Sequence, residues 1–178
     1  MKKLLIILLA LAISISAISQ EDFQTIKVYD LYSISLPSFL VPTHDNNNEA
    51  SLMYMSYEKS YYVKVTEQTK QTIHNLVDFN VEYKSFTKDI KGYFDMIDQT
   101  SLDYSLCYAF RKKDTIVNGM KAISYTYNKR TEGFDYKIIS LYVEGKDTYY
   151  QINSWILNEN YNSHKDIIEQ SMFSFKEL

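Results

Sequence analysis

The chain has 178 residues, a formal net charge of −3, four glycines and one cysteine. Acidic side chains outnumber basic ones, so no basic excess exists to hold a phosphate backbone, and nucleic acid is not an expected partner. With so few glycines, and no Gly-x-Gly-x-x-Gly or Gly-Lys-Ser/Thr run, backbone amides cannot cradle a nucleotide, and a lone cysteine cannot close an internal disulfide.

The first element is a leader. Lys2 and Lys3 make a charged start, Leu4 to Ile13 is an unbroken apolar run, and Ser14 to Ser19 turns small and polar, the three-part pattern of a secretion signal over residues 1–19. The run is shorter than the roughly 20 apolar residues a membrane-spanning helix needs. Cleavage after Ala17-Ile18-Ser19 is expected, leaving Gln20 first, with no integral membrane segment remaining. No cysteine follows the leader to carry a lipid, since the only one is Cys107. Residues 20–178 are then expected to form a single domain, long enough to bury roughly 70% of the surface its unfolded chain exposes. Without Lys2 and Lys3 it carries 17 basic against 22 acidic side chains. The basic clusters Arg111-Lys112-Lys113 and Lys129-Arg130 read as charged strand ends and loops.

Strand patterns dominate the rest of the chain. Tyr32-Ser33-Ile34-Ser35-Leu36 alternates up to Pro37, and a polar loop from Thr43 to Glu49 leads into runs at Leu52–Tyr57 and Tyr61–Glu67, which pair as a hairpin around Glu58-Lys59-Ser60. From Leu76 the period becomes helical: Leu76, Phe79, Tyr83, Phe86, Ile90, Phe94 and Ile97 recur three or four apart. This spacing predicts one long amphipathic helix from about Thr72 to about Asp98, in which Gly92 costs about 1 kcal/mol relative to alanine. Alternation returns at Leu102, Tyr104, Leu106, Tyr108 and Phe110, predicting a strand there. Asn118-Gly119 is a turn signal, and Met120–Tyr127, Phe134–Glu144 and Thr148–Leu157 read as an antiparallel meander. Within it, Ile138 to Val143 is apolar on both faces, as in a strand whose sheet is covered on both sides. A closing helix is expected with Ser163 as N-cap and Asp166 in its first turn, burying Ile167, Ile168 and Met172. Phe173-Ser174-Phe175 then docks the C-terminus on the domain.

Catalytic motifs are missing from this order. His44, His74 and His164 stand apart with no metal-ligand spacing, no Cys-x-x-Cys exists, and no metal or cofactor is expected. Cys107 reads as a buried thiol, with an intermolecular link or a nucleophile served by a distant histidine as the alternatives. Carboxylate pairs brought together by folding cannot be read from spacing. The distinctive feature is composition: 17 tyrosines lie along nearly every strand, which fits a sheet with half-buried positions, because tyrosine joins an apolar body to a polar tip. One stripe combines this with amides. Tyr149, Gln151, Asn153 and Trp155 share a face of the last strand by period-2 geometry and form the candidate ligand-binding site, able to stack on a sugar or a peptide. The competing reading packs the long helix over Tyr149 and Trp155. Tyr150, Ile152, Ser154 and Ile156 form the opposite, core-facing side.

Taken in order, Tyr32-Ser33-Ile34-Ser35-Leu36-Pro37, a polar loop, a hairpin, a long helix, a meander led by Asn-Gly and a closing helix ending in Ser171-Met172-Phe173-Ser174-Phe175 resemble the PsbP-like family. That family includes an extrinsic photosystem subunit and bacterial periplasmic relatives. The resemblance spans roughly residues 26 to 176 and rests on element order and pattern. It implies an α/β fold of α+β type, a mainly antiparallel sheet between helices in an α-β-α sandwich, and a non-catalytic role in binding or complex assembly. No metal or partner site carries over, because no matching ligand motif is present. The expected protein is therefore a tyrosine-rich binding module exported by a Gram-negative-type bacterium to the periplasm or beyond, with a protein, peptide or glycan partner. A small secreted hydrolase using carboxylates in a cleft, or a structural envelope subunit, are the alternatives.

Overall fold

The computed structural model describes residues 21–44 and 49–178. The leader 1–19, its cleavage point and the centre of the polar loop at 45–48 lie outside the described residues.

Ten strands and three helices form an α+β fold among the described residues. β1 (Phe23–Val28) and β2 (Tyr32–Pro37) make an antiparallel hairpin, joined on the other side of β2 by the C-terminal β10 (Lys176–Glu177). The main sheet has seven strands in the order β3-β4-β5-β9-β8-β7-β6, and every neighbouring pair is antiparallel. Its members are β3 (Val41–Pro42), β4 (Leu52–Ser56), β5 (Tyr61–Thr69), β6 (Cys107–Val117), β7 (Met120–Thr131), β8 (Phe134–Glu144) and β9 (Thr148–Leu157). The hairpin β4–β5 and the meander β7-β8-β9 stand where alternation and turn residues place them. Asn118 and Gly119 both take positive φ, 47° and 85°, as the tight β6–β7 turn requires.

Each face of the main sheet has its own core. On one face Val63, Val65, Leu141, Tyr150, Ile152 and Ile156 are fully buried beneath β2 and α3 (Asn158–Phe173), which contribute Tyr32, Ile34, Leu36, Ile168 and Met172. Phe175 is sealed in this core, whereas Phe173, expected to dock with it, stays exposed. On the other face α1 (Lys70–Phe79) and α2 (Ile90–Ser101) lay Ile73, Tyr93, Phe94 and Met96 against Ile123, Tyr125, Tyr142 and Tyr149. Helices thus cover both faces, and β8 and β9 lie inside the sheet, as the two-sided apolar run in β8 demands.

Four local expectations need correction. The long helix is two helices, α1 and α2, separated by Asn80–Asp89. Asn80 ends α1 and its side chain accepts from the Glu82 amide, while Asp89 caps α2 by accepting from the Lys91 and Gly92 amides. Between them Tyr83 bonds back to Asn80 and Phe86 to Tyr83, turns that keep a three-residue spacing and so preserve the apolar period through the break. The strand expected from Leu102 begins at Cys107 instead; Asp103–Leu106 is a turn in which the Asp103 carboxylate accepts from Ser105. That strand runs on through Arg111-Lys112-Lys113, which therefore lie mid-strand, tolerated because β6 is a sheet edge open to water. Finally, α3 starts at Asn158 directly from β9, and Ser163 sits inside it, donating to the Asn160 carbonyl.

The tyrosines fill both cores, and their burial has an electrostatic consequence. Burial pushes the phenols of Tyr61, Tyr149 and Tyr150 up to about 12 and raises those of Tyr32, Tyr93 and Tyr142 as well. An unfolded tyrosine ionises near about pH 10, so above that pH the unfolded chain loses protons that the folded one keeps, and stability falls with rising pH. The contribution is complete below about pH 10 and is lost as pH climbs through the raised values. Urea midpoints should hold steady at neutral to mildly alkaline pH and then drop beyond about pH 10. Phenolate absorbance from these six buried tyrosines should appear together with unfolding, on top of that from exposed ones such as Tyr29 and Tyr57. Complete phenolate absorbance well before the fold is lost would show that the six hydroxyls are open to water.

Candidate functional site

The helices cover only part of their sheet face. Pairing register sorts that face into rows running across β5, β9, β8 and β7. One row is Gln68, Tyr149 and Glu144, the next Thr66, Gln151, Tyr142 and Ile123, then Lys64, Asn153, Ser140 and Tyr125, then Tyr62, Trp155, Ile138 and Tyr127. The rows at the Tyr149 end lie beneath α1 and α2. Tyr93 stacks on Tyr149 with ring centroids 4.7 Å apart and planes 10° apart, Phe94 meets Tyr142 edge-on at 5.1 Å, and Lys70 lies over the Tyr149 ring.

Farther along, α2 passes off the sheet, and its last turn becomes a wall. Tyr104 donates to the Asp98 carboxylate, tying this turn to the loop after it. Ile97, Ser101 and Leu102 form one side of a cleft of about 420 Å³ whose floor is Gln151, Asn153, Trp155, Ile138 and Tyr142, with Tyr127, Lys129, Thr131 and Tyr136 beyond. A second hollow of about 510 Å³, lined by Glu49, Lys64, Thr66, Glu67 and Gln68, shares Ile97, Ser101, Gln151 and Asn153 with the first. The two are lobes of one groove lying across four strands.

Its two ends differ chemically. At the aromatic end Trp155 and Tyr62, cross-strand partners, stack with centroids 5.2 Å apart and planes 6° apart, both half-buried. The Tyr62 phenol is raised, chiefly by burial and then by neighbouring Tyr136 and Tyr57. In the middle the amides are held by each other and by the sheet. Gln151 Nε2 donates to the Tyr142 hydroxyl (3.2 Å) and to Asn153 Oδ1 (3.3 Å), which also accepts from the Ser140 hydroxyl at 2.7 Å. At the charged end Lys64 lies 3.9 Å from Glu49, and the Glu67 carboxylate accepts from the Ser51 hydroxyl.

Several solved structures share this architecture. Cyanobacterial PsbP from Synechocystis superposes with a TM-score of 0.62, covering 92% of this chain and 96% of that one at 8% identity. The fold is that of PsbP. Two further solved structures share the PsbP-like fold. The Saccharomyces cerevisiae Ran-binding protein Mog1p matches with a TM-score of 0.53 at 11% identity, covering 88% of this chain and 96% of its own. LpqN of Mycobacterium tuberculosis, a protein involved in cell envelope biogenesis, matches with a TM-score of 0.52 at 8% identity, covering 89% and 92%. No protein-family model and no curated protein matches the chain.

On this PsbP-like fold the four stripe residues do share one face, but they do not share one environment. Gln151, Asn153 and Trp155 line the groove, whereas Tyr149 is wholly buried beneath Tyr93 and out of a ligand's reach. The helical cover weighed against a site is therefore real over Tyr149 and absent over Trp155. Tyr136 and Lys129 join the groove through the β8–β9 and β7–β8 pairings, Tyr62 backs Trp155 through the β5–β9 pairing, and the end of α2 walls the cleft, none of which any spacing in the sequence reveals. Cys107 is buried, and burial pushes its thiol up, away from the thiolate a nucleophile needs. His74 contacts Tyr149, and His164 contacts Phe39 and the Asn160 carbonyl. Among the described residues no three His, Cys, Asp or Glu side chains gather as a metal site, and no helix is long and apolar enough to cross a membrane.

Proposed function

We propose that the protein is an exported, non-catalytic binding or complex-assembly module and that the groove over β5, β9 and β8 is its ligand site. The observation that carries this reading is the half-exposed Trp155–Tyr62 stack set beside hydrogen-bonded amides in an open cleft. Such a surface combines stacking area with directional polar groups, the usual make-up of a small-ligand site. The PsbP-like fold adds support by analogy, since the proteins sharing it include a Ran-binding protein and an envelope-biogenesis protein. Export rests on the leader: Lys2, Lys3, the Leu4 to Ile13 run and the small residues before Gln20.

Trp155 is the chain's one tryptophan, so its emission reports on this site alone. Acrylamide should quench it measurably in the native protein, though less than in the unfolded chain; native emission fully shielded from acrylamide would remove the groove from consideration. For export, the intact mass of protein recovered from the native envelope should correspond to a chain starting at or near Gln20. A retained Met1 in that material would sink the leader reading.

A further inference from the structure

We propose that the groove takes a pyranose oligosaccharide, lying across the strands with one ring stacked on the Trp155–Tyr62 end. The inference rests on the reading of this groove as the ligand site and goes further by naming the ligand's chemistry.

The first ground is what the amides leave open. Gln151 uses its nitrogen on the Tyr142 hydroxyl and on Asn153, and Asn153 uses its oxygen on Ser140 and Gln151. Among the described residues, Gln151 Oε1 and Asn153 Nδ2 are then left without a hydrogen-bond partner, an acceptor and a donor two positions apart on one strand face. Their orientation is fixed by the bonds already made. Sugar hydroxyls both donate and accept, so neighbouring hydroxyls on a ring can satisfy this pair together. Ser101 and Thr66 add further hydroxyl groups along the same line.

A second ground is the aromatic end. Two parallel rings form a rigid apolar wall that loses little conformational freedom on binding, and such a wall suits the flat C–H face of a pyranose. Tyr136 stands on the next strand, so apolar surface extends past the first ring.

The third ground separates a glycan from an extended peptide. A peptide that binds to a sheet gains most of its affinity by hydrogen-bonding an open strand edge. Here the floor strands β5, β9 and β8 are each paired on both sides, and the groove offers side chains only. A ligand with hydroxyls spread around a ring finds partners on such a floor, and a backbone ladder does not. The groove's two lobes also favour a chain of rings over a single one, since they span four strands, about 14 Å at sheet spacing.

The test is a fluorescence and calorimetric titration of the intact mature protein with cellohexaose, with chitohexaose and, separately, with a pool of soluble tri- to hexapeptides. One of the two hexasaccharides is expected to shift and quench Trp155 emission, with binding weakened at least tenfold by Asn153→Ala and by Trp155→Ala and unchanged by Phe173→Ala on the far face. Circular dichroism and melting confirm that each variant folds; Asn153→Ala carries the test if Trp155→Ala does not. Peptides perturbing Trp155 while both hexasaccharides leave it unchanged would overturn the glycan inference and leave the groove as the binding site. Silence from both classes overturns the glycan inference too. Saccharide binding that is indifferent to Asn153→Ala would place the sugar elsewhere and overturn it as well.

Discussion

Gly92→Ala is expected to destabilise the protein by about 3 kcal/mol, although the same change in an ordinary helix interior gains about 1 kcal/mol. The reason is the approach of the preceding loop. A Cβ on Gly92 would lie 1.8 Å from the Thr87 carbonyl oxygen and 2.6 Å from its carbon, so backbone, not a flexible side chain, fills the space. The loop is held there by the Asp89 cap, whose carboxylate accepts from the Thr87 hydroxyl and from the Lys91 and Gly92 amides. Those bonds hold the Asp89 carboxyl below its usual range, the Thr87 hydroxyl contributing most. Relief requires moving the cap, and with it the seating of Tyr93 and Phe94 on the sheet. Urea denaturation of the two proteins decides the matter. An unchanged or raised midpoint for the alanine variant would mean that α1 and α2 are not separated by this tight turn.

Tyr32→Ala should cost about 3–5 kcal/mol. Tyr32 is fully buried on the opposite face, edge-on to Tyr150 at 5.7 Å and 5.1 Å from Phe175, and with Ile34 and Leu36 it joins the small sheet to the main one. Its hydroxyl pairs with Ser51 Oγ at 2.7 Å, and truncation leaves a cavity as well as a lost partner. Tyr32→Phe keeps the ring and removes only that bond, so about 1 kcal/mol is expected, because Ser51 retains Glu67. A small loss for the alanine variant, comparable with that for phenylalanine, would show that the β1–β2 hairpin adds little to the core.

The meander was legible because its strands are long, alternate cleanly and are separated by turn residues such as Asn118-Gly119, all local signals. The interruption of the long helix was not, because the turns at Asn80–Phe86 mimic the helical period. Phe79 belongs to that period yet is exposed, which only tertiary placement decides. β3 and β10 have two residues each, too few to show alternation, and β1 has no distinguishing turn ahead of it. For the groove, period 2 placed Gln151, Asn153 and Trp155 together without ambiguity. It could not separate Tyr149 from Trp155, since both are aromatic and what differs is the helix above one of them. Tyr62 was out of reach because its place next to Trp155 comes from strand order.

That strand order also has a kinetic side. β5 and β9 pair over nine residues, from Tyr61 with Ile156 to Thr69 with Thr148, joining positions 79 to 95 apart, whereas the hairpin β4–β5 and the meander β6 to β9 close short loops. The two local units can form early, and the seam between them must wait for a long, entropically costly closure. Trp155 and Tyr62 stand on opposite sides of that seam. In refolding, tryptophan emission should therefore reach its native value only in the slowest phase, behind the recovery of strand signal, because the groove does not exist until the two halves of the sheet have met.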